Sequence, residues 1–224
     1  MTTPQRIGIY GGTFDPVHTG HLILARDAVE LLGLARMVFV PAAISPHKLG
    51  RAPGASGVER LAMLRAAVAD EPAFEVDALE LDRPGPSYTF DTVTTLRARW
   101  PDAQLHYLIG ADNVPELSTW HRADELRALA RFVVFHRRAS DGIVPGAEGL
   151  PTLGRVVDLS STEIRNRVAS GRSIRYLVPE SVRELIEARG LYRPAPSTPP
   201  GGPSPLPPKT SSASVPTTPP TRKL

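Results

Sequence analysis

Short apolar runs alternate with stretches of helical spacing along most of this 224-residue chain. The runs Ile7–Tyr10, Met37–Val40, Phe74–Val76, Leu105–Ile109, Phe132–Phe135 and Val156–Val157 read as strands. Between and after them, helical patterns cover Gly20–Leu32, Val58–Ala69, Phe90–Arg99, Ala123–Ala130, Ser161–Ser170 and Pro179–Arg189. Gly33 and Gly171 stand where two of these helices end, and Pro179 suits a first helical turn. Strands that alternate with helices in this way form a parallel sheet. The expected fold is α/β: a Rossmann-like, doubly wound parallel sheet in a single domain, with ligands at the C-terminal ends of the strands. No internal repeat is visible.

One segment breaks the plain pattern. Between the first strand and the first helix runs Gly11-Gly12-Thr13-Phe14-Asp15-Pro16-Val17-His18-Thr19-Gly20-His21. Glycines let the backbone approach a ligand closely. The N–H groups and positive dipole end of the following helix favour a phosphate. With a helix starting near Pro16 or Val17, His18 and His21 are three apart on one face and point toward the same anion. A Walker loop is excluded, because no Gly-Lys-Ser/Thr follows, and the dinucleotide pattern Gly-x-Gly-x-x-Gly is not met. A metal pair would need a third ligand nearby, and the chain has no cysteine. Two surface histidines beside a simple helix cap are the plain alternative, for which Gly, Gly, His and His at these offsets are a poor choice.

Composition changes the picture at the C-terminus. From Pro194 to Leu224, eleven of 31 residues are proline, and Ser, Thr and Gly supply most of the rest. Such a stretch cannot bury enough apolar surface to offset its ordering entropy, so residues 1–193 are expected to form the domain and 194–224 a disordered tail. A proline-rich ligand for a partner domain is the sharper alternative for the tail. The net charge of +3 belongs to that tail, since residues 1–193 hold 23 basic and 23 acidic side chains. A neutral core argues against a nucleic-acid surface. Lack of cysteine excludes a disulfide framework and thiol chemistry. No apolar run approaches 18 residues and no signal peptide opens the chain, so a soluble, cytoplasmic protein without membrane contact is expected.

Other segments carry candidate chemistry with a bland reading beside it. Pro41 to Lys48 follows the second strand, and a loop lysine there can reach phosphate as a mobile point charge or simply sit in solvent. Ser160-Ser161-Thr162-Glu163-Ile164-Arg165 opens the penultimate helix. It caps that helix, and it also offers hydroxyls and N–H groups to a phosphate, with Arg165 on the same end. Pro86-Ser87-Tyr88-Thr89 is by itself a turn and cap. Ile109-Gly110-Ala111-Asp112 closes the fourth strand, and Thr119-Trp120 follows in a loop, where a tryptophan is more often a packing residue.

Taken together, these segments resemble one family. Gly-Gly-Thr-Phe-Asp-Pro-x-His-x-Gly-His is similar to the signature of the nucleotidyltransferase superfamily, and most like its bacterial nicotinate-nucleotide adenylyltransferases. The Pro46-His47-Lys48 ending resembles the family's second motif. Leu159 to Arg165 resembles its Ile-Ser-x-Thr-x-x-Arg motif, with Leu159 in place of the usual Ile. The Ser87–Thr89, Gly110–Asp112, Thr119–Trp120 and Gly190-Leu191-Tyr192 stretches are also similar, so the resemblance covers residues 6–193 and stops at the tail. It implies adenylyl transfer from ATP to nicotinate mononucleotide, with Mg²⁺ carried in on the triphosphate. It implies His18, His21, Lys48 and Arg165 as the catalytic groups that neutralise phosphate charge. Gly11, Gly12, Thr13 and Phe14, Gly110 and Asp112, and Ser160, Ser161 and Thr162 would hold the nucleotide. Ser87, Tyr88, Thr89 and Trp120 would form the acceptor pocket, the flat indole suiting a pyridine ring. Another phosphorylated acceptor, nicotinamide mononucleotide or pantetheine phosphate, and a non-catalytic nucleotide sensor are the competing implications.

Overall fold

The computed structural model describes residues 4–44, 53–136 and 145–194. All elements below belong to the compact unit Met1–Arg193. Six strands are described: β1 (Arg6–Gly12), β2 (Arg36–Pro41), β3 (Phe74–Val76), β4 (Gln104–Gly110), β5 (Arg131–His136) and β6 (Thr152–Val156). All described pairings are parallel, in the order β3-β2-β1-β4-β5-β6. The helices are α1 (Thr19–Leu32), α2 (Gly57–Val68), α3 (Thr89–Arg99), α4 (Ala123–Leu129), α5 (Ser161–Ala169) and α6 (Glu180–Ala188). This is the doubly wound Rossmann-like arrangement expected from the sequence.

The two sides of the sheet follow from strand alternation. Ile7 and Ile9 of β1, Val38 and Val40 of β2, and Leu105, Tyr107 and Ile109 of β4 pack on one side, with Phe90, Val93 and Leu96 of α3 and Leu126 of α4. Tyr10, Phe39, Leu108 and Phe135 point to the other side, against α1, α2, α5 and α6. Gly33 ends α1 in the left-handed conformation (φ 59°), a backbone geometry that glycine adopts without a Cβ penalty.

Three expectations are corrected. Helix α1 begins at Thr19, so His18 is not in its first turn but is its extended N-cap (φ −142°, ψ 167°). Contacts from a distant segment set that start: the Thr19 N–H donates to the Leu177 carbonyl (2.9 Å) and its hydroxyl to that of Tyr176 (3.2 Å). The fourth strand stops at Gly110, and Ala111–Thr119 form a 3₁₀ helix that carries Asp112. Strand β6 lies at Thr152–Val156 rather than Val156–Val157. The segment Ser45–Lys48 and the tail beyond Pro194 lie outside the described residues. Among the described residues, no helix is long and apolar enough to cross a membrane.

The site lies where β1 and β4 part. Their pairing runs from Arg6–Gln104 to Ile9–Tyr107, while β1 stays paired with β2 as far as Gly12 and β4 with β5 as far as Gly110. Ligands bind at such a switch point in open α/β sheets. Here a side chain on β1 would collide with its neighbour, since a Cβ on Gly11 would lie 2.5 Å from the Tyr107 hydroxyl oxygen. Gly11→Ala is therefore expected to cost about 1–3 kcal/mol, the usual penalty of overpacking. The second change Tyr107→Phe should recover part of that loss, because the ring Cζ would still sit at 3.3 Å. Urea unfolding of both single variants and the double variant measures this. Additive losses would refute the clash.

Candidate active site

A cleft of about 490 Å³ opens at the parted strand ends. The first segment of its wall is the glycine turn. Phe14 has a left-handed backbone (φ 49°), while its ring is buried against Tyr10 and Phe39. The turn thus presents its backbone, not the phenyl ring, to the cleft. A Cβ on Gly12 would lie 3.1 Å from that ring. Beneath the turn, Arg60 of α2 is almost fully buried and donates to the Thr13 carbonyl (2.7 Å). Burial pulls its guanidinium below the ordinary value, opposed by the nearby Asp15 carboxylate and by Tyr192.

His18 and His21 face each other as expected, with stacked rings 3.6 Å apart. The His18 backbone N–H donates to His21 Nδ1 (3.1 Å). A ring nitrogen that accepts cannot carry a proton, so this hydrogen bond places the ring hydrogen of His21 on Nε2. The aromatic rings of Tyr10 and Phe14 flank it edge-on.

Helix α5 brings the Ser160–Arg165 motif to the same wall. Ser160 caps the helix by accepting from the Glu163 N–H (3.2 Å). Ser161 spends its hydroxyl hydrogen on the Pro16 carbonyl (2.9 Å). Arg165 donates from Nη1 to the Asp15 carbonyl (2.7 Å) and from Nη2 to Thr162 Oγ1 (3.1 Å). The helix N-terminus, with its positive dipole end, is thereby docked onto the glycine turn. All three hydroxyl residues and Arg165 line the cleft.

The opposite wall holds the acceptor candidates. Ser87 is buried; its hydroxyl accepts from the Ala43 N–H (3.0 Å) and its own N–H donates to the Ile44 carbonyl (2.9 Å). The turn Ser87–Thr89 is thus fastened to the chain leaving β2. Thr89 Oγ1 lies 3.5 Å from the Tyr107 hydroxyl. Trp120 stands edge-on to Tyr107 and Phe132, and His121 lies against the Tyr88 ring at 4.7 Å. Gly110 sits between the walls, where a Cβ would come within 2.4 Å of Asp112 Oδ1.

A family model described as cytidylyltransferase-like matches residues 9–167. A protein of Gemmatimonas aurantiaca carrying the name "probable nicotinate-nucleotide adenylyltransferase" is 46% identical over 202 residues, covering 84% of this chain and 93% of its own. One of the same name from Exiguobacterium sibiricum is 46% identical over 189 residues, covering 84% and 99%. The chain belongs to the nicotinate-nucleotide adenylyltransferase family. It is a nucleotidyltransferase. In fold it is similar to the Plasmodium falciparum nicotinic acid mononucleotide adenylyltransferase solved in complex with NaAD, with a TM-score of 0.71 at 17% identity over 84% of this chain and 97% of that one.

Of the positions that the family motifs single out, the cleft brings together Gly11, Gly12, Thr13, Phe14, His18, His21, Ser87, Tyr88, Thr89, Gly110, Asp112, Trp120, Ser160, Ser161, Thr162 and Arg165. Lys48 lies outside the described residues. Sequence reasoning missed Glu80, Tyr107 and His121 on the walls, and Arg60 below them. It quoted Asp15 within the motif without giving it a task.

Glu80 is a buried carboxyl on the cleft wall, accepting from Thr92 Oγ1 at 2.5 Å. Burial raises its pKa above the ordinary 4.5, against hydrogen bonds from Thr92 and Ser87 and the charge of Arg83, with Asp91 adding to the rise. A carboxyl with a raised folded pKa stabilises the fold only while protonated, so stability is lost as pH climbs from about 4.5 through the folded value. Glu80→Gln keeps an acceptor for Thr92 and removes the ionisation. The variant should therefore gain stability relative to the parent as pH rises above about 4.5. Chemical unfolding across that range tests it, and a constant difference would contradict the raised pKa.

Proposed function

We propose that this chain transfers the adenylyl group of ATP to nicotinate mononucleotide, giving nicotinate adenine dinucleotide and pyrophosphate in NAD biosynthesis. The observation that carries the reading is the 46% identity, over 84% of the chain, to relatives named for this reaction. The two-walled cleft supports it: a glycine turn, two histidines and a helix N-terminus face an aromatic-lined turn across the strand ends.

The chemistry needs few groups. The acceptor's phosphate, with a second pKa of about 6, arrives largely ionised at neutral pH and needs no general base. One of its oxygens attacks the α-phosphorus of ATP. The bond from that phosphorus to the bridging oxygen breaks, and pyrophosphate leaves with the electron pair. Catalysis reduces to alignment and to stabilising charge on the α-phosphoryl group and the leaving pyrophosphate. In our reading His18, the Nε2–H of His21, Arg165 and Lys48 supply that stabilisation. The backbone of Gly11–Phe14 and the first turn of α5 cradle the triphosphate, while Gly110 and Asp112 help place the nucleotides. Mg²⁺ enters as part of the ATP substrate, held mainly by phosphate oxygens and water. Among the described residues, no three His, Asp or Glu side chains are grouped as a metal cage. The reaction belongs to residues 1–193, and the tail from Pro194 takes no part in it.

Trp120 gives the pyridine ring a stacking surface and cannot by itself tell acid from amide. Discrimination rests on donors at the ring substituent in the Ser87–Thr89 turn. A carboxylate accepts on both oxygens, whereas an amide would oppose its NH₂ to them.

Two measurements test the reading. Pyrophosphate release with ATP and nicotinate mononucleotide, nicotinamide mononucleotide or pantetheine phosphate in turn should give kcat/KM at least ~10²-fold higher for the nicotinate acceptor. Trp120→Ala should weaken both pyridine acceptors and keep most of that ratio. Equal values for acid and amide would overturn the acceptor assignment, and no turnover with any acceptor would favour a sensor. His18→Ala should lower kcat by ~10²–10³ with little change in ATP binding, because the charge it meets develops in the transition state. Near-normal turnover of that variant would remove His18 from the mechanism.

A further inference from the structure

Asp15 lines the cleft but is 5% exposed, and its oxygens are saturated by the protein. Oδ2 accepts from the Gly54 N–H at 2.7 Å. Oδ1 accepts from the Ala55 N–H at 3.0 Å and from the Tyr192 hydroxyl at 2.9 Å. Arg165 Nη1 lies 3.6 Å from Oδ2 while donating to the Asp15 carbonyl at 2.7 Å. A group so occupied is no ligand for substrate. It is instead the fixed point against which the Arg165 fork is set.

Tyr192 reaches that point from the far end of the domain. It follows Leu191, which is buried in the core, and it has a left-handed backbone (φ 62°) that turns its side chain back toward the cleft. Gly54 is wedged between the two side chains: a Cβ there would lie 3.1 Å from the Tyr192 ring and 3.4 Å from Arg165 Cδ. Ring, glycine and guanidinium stem therefore form one packed layer over Asp15.

We propose that Tyr192 is a positioning residue of the adenylyl-transfer reaction, which holds the Asp15 carboxylate so that Arg165 presents its guanidinium to the transferring phosphate. The proposal rests on the function assigned above. Asp15 offers Arg165 both a neutral carbonyl and a charged carboxylate oxygen. With Tyr192 and two backbone N–H groups on the carboxylate, its charge is already shared and Arg165 stays with the carbonyl. Without the phenol hydrogen, Oδ1 keeps one donor and the carboxylate competes more strongly for the guanidinium, drawing it from the cleft. Burial and the adjacent carboxylate push the phenol well above its ordinary value, so Tyr192 remains a donor throughout the working pH range. Among the described residues, Arg165 Nε–H and its second Nη2–H take no protein acceptor, so they are the donors left for a phosphate.

The test is a double-mutant cycle on the full chain, measuring pyrophosphate release over a range of acceptor concentrations up to saturation. Tyr192→Phe should lower kcat about tenfold, the effect expected for losing one charge-assisted hydrogen bond, and leave the acceptor KM near the parent value. In an Arg165→Lys background, which lacks the planar fork, the same change should have less than about a twofold effect, because its target is gone. Asp15→Asn, which keeps one acceptor oxygen, gives a second entry to the cycle and should likewise lose most of its effect beside Arg165→Lys. A phenol with a merely structural role would act equally in both backgrounds. Equal effects, or a Tyr192→Phe variant as fast as the parent, would overturn the proposal. Turnover by the parent protein checks the function assignment separately, so failure of one is not failure of the other.

Discussion

Parallel strands whose connections leave in opposite directions cannot stay paired to their ends. The chain leaving β1 returns through α1 to β2 on one side, and the chain leaving β4 passes through the 3₁₀ helix and α4 to β5 on the other. Pairing between β1 and β4 therefore stops at Ile9–Tyr107, and the last residues of both strands become the floor of the cleft. The rest of the site follows from that divergence. The buried Tyr107 hydroxyl fills the space beside Gly11, and a side chain at Gly110 would have to displace the exposed Asp112 carboxylate, so both positions present backbone to the cleft. Backbone is what remains to meet a ligand, and it is backbone N–H groups that suit phosphate.

A floor made of backbone has to be held rigid from below, and here the supports are charged. Arg60 and Asp15 are both buried, an arrangement that is costly unless every charge is paired and hydrogen-bonded. Arg60 answers the Thr13 carbonyl, and Asp15 gathers the Gly54 and Ala55 N–H groups with Tyr192. The same carboxylate lies beside Arg165. Removing Arg60 or Asp15 would leave the other's charge buried with less compensation. A site whose work is alignment needs that kind of support.

The strands and most helices were legible because their signal is local. A strand such as β2 is buried along nearly its whole length, and the apolar run says so. β6 was misplaced because only Leu153 of its five residues is buried, so no run marks it. The 3₁₀ helix was missed since Pro115 lies inside it and reads as a break. The start of α1 depends on Tyr176 and Leu177, which no reading of residues 16–21 could supply. The same reason divides the site. Gly11, Gly12, His18 and His21 were found because backbone geometry demands those residue types at close spacing. The partners of Asp15 lie 39 to 177 positions away, and Glu80, Tyr107 and Arg60 are single residues in ordinary surroundings, visible only once the chain is folded.

The hydrogen bond from the His18 N–H to His21 Nδ1 bears on how two anions are brought together. A phosphate nucleophile and a triphosphate repel each other, and that repulsion can be relieved equally before and during the reaction. Such uniform relief strengthens binding without raising kcat. A donor preorganised toward the charge that appears on the α-phosphoryl oxygens acts mainly in the transition state. The backbone N–H of His18 fixes the His21 tautomer before substrate arrives, so no reorganisation is required at the moment of transfer. In our reading the two histidines, Arg165 and Lys48 all act in this way, meeting the charge that develops on the α-phosphoryl group and the leaving pyrophosphate and so favouring the transition state over the bound ground state.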